Sequence, residues 1–120
     1  MNIFETNPPK LRAWVQAYDG FIMQYDIFEF EISDTVFMFS VGLKDMNGKD
    51  IYEGDIVQWG HVIGGEEKPI RIAVVKRSPD IMFDCVNFSQ IFHYGTFAYQ
   101  NTEKYLEIIG NVFENPELLV

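Results

Sequence analysis

Residues 42–59 read GLKDMNGKDIYEGDIVQW, and the reading of this stretch decides the fold. It holds three glycines, four acids and two lysines, and it ends in an apolar alternation. Asn47-Gly48 is a strong hairpin dipeptide, because a type I′ turn needs positive φ at both central residues. Glu53-Gly54-Asp55 punctuates the chain again, after which Ile56 and Gln58 alternate against Val57 and Trp59. That period belongs to a strand. The stretch therefore predicts turn, short strand, turn, strand.

Ligand loops of similar composition do not fit it. A calcium loop of the EF-hand kind needs oxygen ligands at its first, third and fifth positions and glycine at the sixth. Counted from Asp45, Gly48 arrives at the fourth, and no helix is predicted on either side. A phosphate loop needs Gly-Lys followed by Ser or Thr and then a helix. Here Asp50 follows Gly48-Lys49, and its charge would repel a phosphate. Gly64-Gly65 is followed by Glu66 and Glu67, which are equally unsuited to an anion.

Outward from this centre the strand signals continue. Leu11, Ala13 and Val15 alternate with Arg12, Trp14 and Gln16, and Asp19-Gly20 reads as a hairpin turn. In FIMQYDIFEFEIS, Phe28, Phe30 and Ile32 share a face opposite Glu29 and Glu31. DTVFMFSVG, IRIAVVKR and DIMFDCVNF are further short apolar runs. Residues 87–105 hold no sustained period and predict irregular structure or a short helix. YLEIIGNVF predicts a late strand with a bulge or bend at Gly110. Asn115-Pro116-Glu117 reads as a helix start about one turn long.

Composition agrees with a mainly β chain that forms a core. Of its 120 residues 48% are hydrophobic and 16% aromatic, far from the disordered regime. Net charge is −9, which disfavours non-specific binding to a polyanion. No signal peptide or membrane-length apolar run is read, so the expectation is a cytoplasmic protein without a membrane partner. Cys85, the single cysteine, lies among apolar neighbours and reads as a small core residue. His61 and His93 show no metal spacing, and no serine sits in a nucleophile elbow. No catalytic, metal or cofactor site is expected.

Three motifs carry a resemblance. VGLKDMNGKDIYEGDIV closely resembles the central motif of the YopX family, small proteins of phages and prophages. KLRAWV at Lys10–Val15 resembles the family's opening Lys-Phe-Arg-Ala-Trp-Asp pattern, with Leu11 and Val15 as departures. EIIGNVFENPELL at Glu107–Leu119 resembles its closing motif. The resemblance covers nearly the whole chain. It implies a mainly β fold with an SH3-like barrel element around Tyr52–Arg77, additional strands and little helix. It also implies self-association in the cytoplasm of a bacterial host, and it implies no reaction. The chain is expected to be one domain over 1–120, or two intertwined β subdomains of roughly 1–45 with 100–120 and 46–99.

The functional expectation is a non-enzymatic interaction or assembly module, homo-oligomeric, with a host or phage protein as partner. The alternative is a nucleic-acid-binding barrel, by fold analogy. The candidate interaction surface joins the aromatics Tyr52 and Trp59 to the basic residues Lys68, Arg71, Lys76 and Arg77.

Overall fold

Short strands with tight turns leave many apolar faces to cover, and this chain covers them by folding one antiparallel sheet against another. The structure, a computed structural model of the 120-residue chain, describes residues 10–17, 20–25, 35–60, 62–63, 66–67, 70–77, 80–87, 89–93 and 102–119. The first sheet holds β1 (Leu11–Ala17), β2 (Gly20–Tyr25), β3 (Val36–Lys44) and β4 (Asp50–Tyr52), in the order β2-β1-β3-β4. The second holds β5 (Asp55–Trp59), β8 (Arg71–Arg77), β9 (Ile81–Cys85), β10 (Ile91–His93) and β11 (Glu107–Asn111), in the order β10-β9-β8-β5-β11. One of the sheets curls into a half-barrel. A two-residue pair, β6 (Val62–Ile63) with β7 (Glu66–Glu67), lies between β5 and β8 in sequence. Among the described residues helix is confined to α1 (Thr102–Tyr105) and a 3-10 turn at Pro116–Leu119.

The mainly β expectation holds, and the anticipated bend at Gly110 is a register shift between Ile108 and Gly110 in the β11–β5 ladder. The sheets divide the sequence at Glu53-Gly54, so β4 closes the first sheet and β11 joins the second. The run 26–34, with Phe28, Glu29, Phe30, Glu31 and Ile32, lies outside the described residues, as does His61.

The core sits on one face of the second sheet. Val57, Trp59, Ala73, Val75, Phe83 and Cys85 share that face by register, and Val41, Ile51 and Leu106 close over them. Trp59 meets Phe83 and Phe92 edge-on, at centroid distances of 6.2 and 5.7 Å. This is the arrangement that aromatic quadrupoles favour. Burial also pushes the Cys85 thiol up from its ordinary pKa, which keeps it protonated and inert. The β3–β4 ladder shifts register between Ser40 and Lys44, and past that shift β3 turns Val41 and Leu43 onto the second sheet's core.

The closing motif is held by side-chain amides. Asn111 Oδ1 accepts from the N–H groups of Phe113 and Glu114 at 3.0 and 2.9 Å, and Asn115 Oδ1 accepts from Asn111 N–H at 3.1 Å. Asn115 crosses so close to Gly110 that a Cβ there would stand 2.5 Å from its Oδ1. Glycine is therefore required by contact and not by φ. Gly110→Ala should lower unfolding free energy by about 1–3 kcal/mol, because the clash falls on an ordered side chain. Urea denaturation measures this, and pairing it with Asn115→Ala should recover part of the loss. An unchanged midpoint would show that the turn yields freely.

Candidate functional site

Arg12, the second residue of β1, is 2% exposed. Strand alternation places it opposite Leu11 and Ala13, on the face where β1 is paired with Tyr25 of β2 and Met38 of β3. Its Nη1 lies 2.7 Å from Asp55 Oδ1, with the two side chains 2% and 3% exposed. Nη1 also donates weakly to Tyr25 Oη at 3.4 Å, and Nη2 donates to the Glu53 carbonyl at 3.1 Å. The guanidinium stands 4.8 Å from the centroid of the Tyr52 ring, which adds a cation–π contact. Nε alone has no hydrogen-bond partner among the described residues.

Asp55 reaches this position because Gly54, at φ +86°, turns the chain sharply between β4 and β5. Its second oxygen accepts from Tyr52 N–H at 2.8 Å. Burial pushes the Asp55 carboxyl up from its ordinary value, against the opposing pull of Arg12 and of the Tyr52 N–H. The pair joins the first sheet to the second. A buried pair is not strong evidence for net stability, but removing one partner leaves an uncompensated charge indoors.

Asp45 does similar work at the hairpin. Its side chain is buried, with Oδ1 accepting from Asn47 and Lys49 N–H at 2.9 Å each, and Oδ2 accepting from Ile108 N–H at 3.0 Å. Gly48 N–H donates to Asp45 O at 3.0 Å and Asp45 N–H donates to Lys49 O at 2.9 Å. The connection thus has three residues between Asp45 and Lys49, with Gly48 at φ +76°, in place of the expected two-residue type I′ turn. A three-residue loop needs positive φ only at its last residue, which the glycine supplies.

Between β4 and β11, the terminal strands of the two sheets, lies an open cleft of about 630 Å³. Its lining carries three cations, Lys10, Arg12 and Lys49, and two carboxylates, Asp50 and Asp55. Asp50 takes Lys10 Nζ at 2.6 Å and Lys44 Nζ at 3.0 Å, and these bonds hold its carboxyl below the ordinary value. Tyr25, Tyr52, Ile108 and Ile109 supply aromatic and apolar wall. Among the described residues no group of three or more His, Cys, Asp or Glu could hold a metal ion.

The six residues singled out from sequence do not gather here as a group. Tyr52 lines the cleft but is 4% exposed, and Trp59, at 2%, is part of the core. Arg71 opens β8, where Nε donates to Gln90 Oε1 at 3.2 Å and the guanidinium lies 5.7 Å from the Phe92 ring centroid. Lys76 and Arg77 stand at the other end of β8, with Lys76 paired to Asp84 at 2.7 Å. Lys68 lies outside the described residues. Lys10, Arg12, Lys49, Asp50 and Asp55 form no local pattern as a set, because they come from two segments, residues 10–12 and 49–55, that meet only in the fold. One local signal existed: Asp55 stands directly after a turn glycine and directly before the buried pair Ile56-Val57, where a strand entering the core begins.

The buried polar residues Arg12, Asp45, Asp55 and Asn111 all fall within the three sequence motifs, and the comparison with known proteins agrees. A profile described as YopX protein matches residues 12–120. The chain belongs to the YopX family. Its three motifs supply Arg12, Asp45, Gly48, Gly54, Asp55, Gly110, Asn111 and Asn115, all of which act in this structure as ties and turns. A crystal structure of protein EF1440 from Enterococcus faecalis is similar in fold, with a TM-score of 0.56 and 20% identity. The match covers 96% of this chain and 100% of that one. No curated protein matches. Among the described residues no helix is long and apolar enough to cross a membrane.

Two measurements test the ion pair. Asp55→Asn should cost about 3–5 kcal/mol in urea unfolding, since it strands the Arg12 charge. Replacing both partners, as in Arg12→Met with Asp55→Leu, should cost clearly less. Carboxyl titration by NMR should place Asp50 below, and Asp55 above, the ordinary 3.8. The signs follow by linkage. Asp50's contribution to stability is present above 3.8 and lost as pH falls through its lowered native value. Asp55's is full below 3.8 and lost as pH rises through its raised one. Both carboxyls titrating at 3.8 would refute both assignments.

Proposed function

We propose that this YopX-family chain is a non-enzymatic protein-interaction and assembly module of a phage or prophage, acting as a homo-oligomer in the cytoplasm of its bacterial host. The observation that carries the reading is the apolar surface of the first sheet. Phe21, Ile22, Tyr25, Val36 and Phe39 are 44–52% exposed, and all five lie on β2 and β3. About half of each side chain remains open, with Phe21, Tyr25 and Val36 on one face of the sheet and Ile22 and Phe39 on the other.

The occupant that fits is a second copy. Among the described strands β2 ends its sheet, and it carries apolar residues on both faces, Phe21 and Tyr25 on one and Ile22 on the other. Antiparallel pairing of β2 with its equivalent across a two-fold axis would extend the sheet and set the second copy's apolar side chains beside these on both faces. The backbone hydrogen bonds of that pairing would add area beyond the side chains. The family's motif residues support the same reading from the other side, because they are committed to holding the fold.

Light scattering at micromolar concentration should give a mass above the 14.0 kDa of one chain. The double variant Phe21→Ser, Ile22→Ser should shift it toward one chain while the far-ultraviolet circular dichroism stays unchanged. A wild-type mass of one chain would refute self-association.

A further inference from the structure

We infer that Asn47 is a site of spontaneous covalent modification, deamidation by cyclisation onto Gly48, and that Asp45 sets its rate. The inference goes beyond the self-association reading and does not depend on it.

The sequence supplies the reactants. The main-chain nitrogen of Gly48 gives up its proton and bonds to Cγ of Asn47. The Cγ–Nδ2 bond breaks, and the side-chain nitrogen leaves with that proton as ammonia. Water then opens the cyclic imide at one carbonyl or the other, leaving aspartate or isoaspartate at position 47. Asn47 and Gly48 are both exposed, so water reaches the imide. Glycine carries no side chain to hinder the attack. Even a Cβ built on Gly48 would meet no heavy atom within 4 Å, so the surroundings do not crowd it either.

The fold withholds the nucleophile. Gly48 N–H donates to Asp45 O at 3.0 Å, closing a turn over residues 45–48. Attack needs that bond broken, the proton removed and the torsion between Asn47 and Gly48 turned. The amides on either side are held by the same residue, since Asn47 N–H and Lys49 N–H each donate to Asp45 Oδ1 at 2.9 Å. Asp45 thus accepts from three successive N–H groups, and its own N–H donates to Lys49 O at 2.9 Å. Its carboxylate also stands beside the nitrogen that must become negative, and like charge disfavours that ionisation. The hairpin between β3 and β4 must therefore open locally before Asn47 reacts, and the rate follows the open population.

The change is one-way. A carboxylate replaces a neutral amide next to Asp45, which adds one negative charge to a chain already at −9. In isoaspartate the main chain also gains a methylene, so the three amides no longer line up on Asp45. The hairpin is tied to residues 106–108 by Ile108 N–H to Asp45 Oδ2 at 3.0 Å and Met46 N–H to Leu106 O at 2.8 Å. A chain converted at position 47 loses its hold on β11 as well.

The test is to age the chain at mildly alkaline pH, in buffer and in urea, and to map it after trypsin. Lys44 and Lys49 bracket residues 45–49, so one short peptide reports on Asn47. Conversion in buffer should be slower than in urea by about tenfold or more. Amide hydrogen exchange at Gly48 should be slowed to a similar degree, because both processes need the same N–H released. That comparison uses only the wild type, so it stands even where a variant fails to fold. Asp45→Ala should bring the buffer rate close to the urea rate, whereas Gly110→Ala, which weakens the fold elsewhere, should not. Converted chains, separated by anion exchange, should unfold at lower urea. No conversion in urea, conversion in buffer as fast as in urea, a freely exchanging Gly48 amide beside a slow Asn47, or equal rates for the two variants would each overturn the inference. An unchanged urea midpoint in converted chains would overturn the tie to β11.

Discussion

The salt bridge between Arg12 and Asp55 is the constraint on which the rest of the structure depends. Arg12 belongs to the first sheet and Asp55 opens the second, and both are almost wholly removed from water. Two buried charges are tolerated only when geometry and extra hydrogen bonds make up for lost hydration. Here Glu53 O, Tyr52 N–H, Tyr25 Oη and the Tyr52 ring do that together. Each of those groups comes from a strand or turn that must be in register for the pair to be satisfied. The bridge therefore specifies the relative position of β1, β2, β4 and β5 more sharply than apolar contact would.

Around it, polar side chains do what is usually left to backbone ladders. Asp45 gathers three N–H groups from the hairpin and from β11, and Asn111 and Asn115 close the turn after β11 on each other. Gly54 N–H and O reach Val75 O and Val112 N–H, tying the central turn to both β8 and the closing segment. Carboxylates and amides placed at strand ends satisfy backbone groups that short strands leave open. The chain thus uses much of its motif chemistry to fold, which leaves its surface to carry recognition.

That surface is divided by chemistry. The first sheet offers aromatic and aliphatic residues at its outer strand, and the cleft between the sheets offers lysines. The cleft exists because Asp45 and the Arg12–Asp55 pair hold β4 and β11 at a fixed separation. Fold and candidate site therefore share their supports.

The sequence by itself determined the β class, most of the strands and the positions of the turns. Alternation in DIVQWG and IRIAVVKR, and the glycines of NGK and EGD, are local signals that act within a few residues. It also determined the family, through motifs long enough to be specific. Only the tertiary structure decided that Arg12 points inward and that Trp59 is core. Alternation gives two faces to a strand without saying which one meets another sheet, and a charged residue reads as outward until its partner is found. Asp55 lies 43 positions from Arg12 in the sequence, and Lys10 lies 40 from Asp50. Such pairs carry no local pattern, because the force that joins them acts only after the sheets have brought them together.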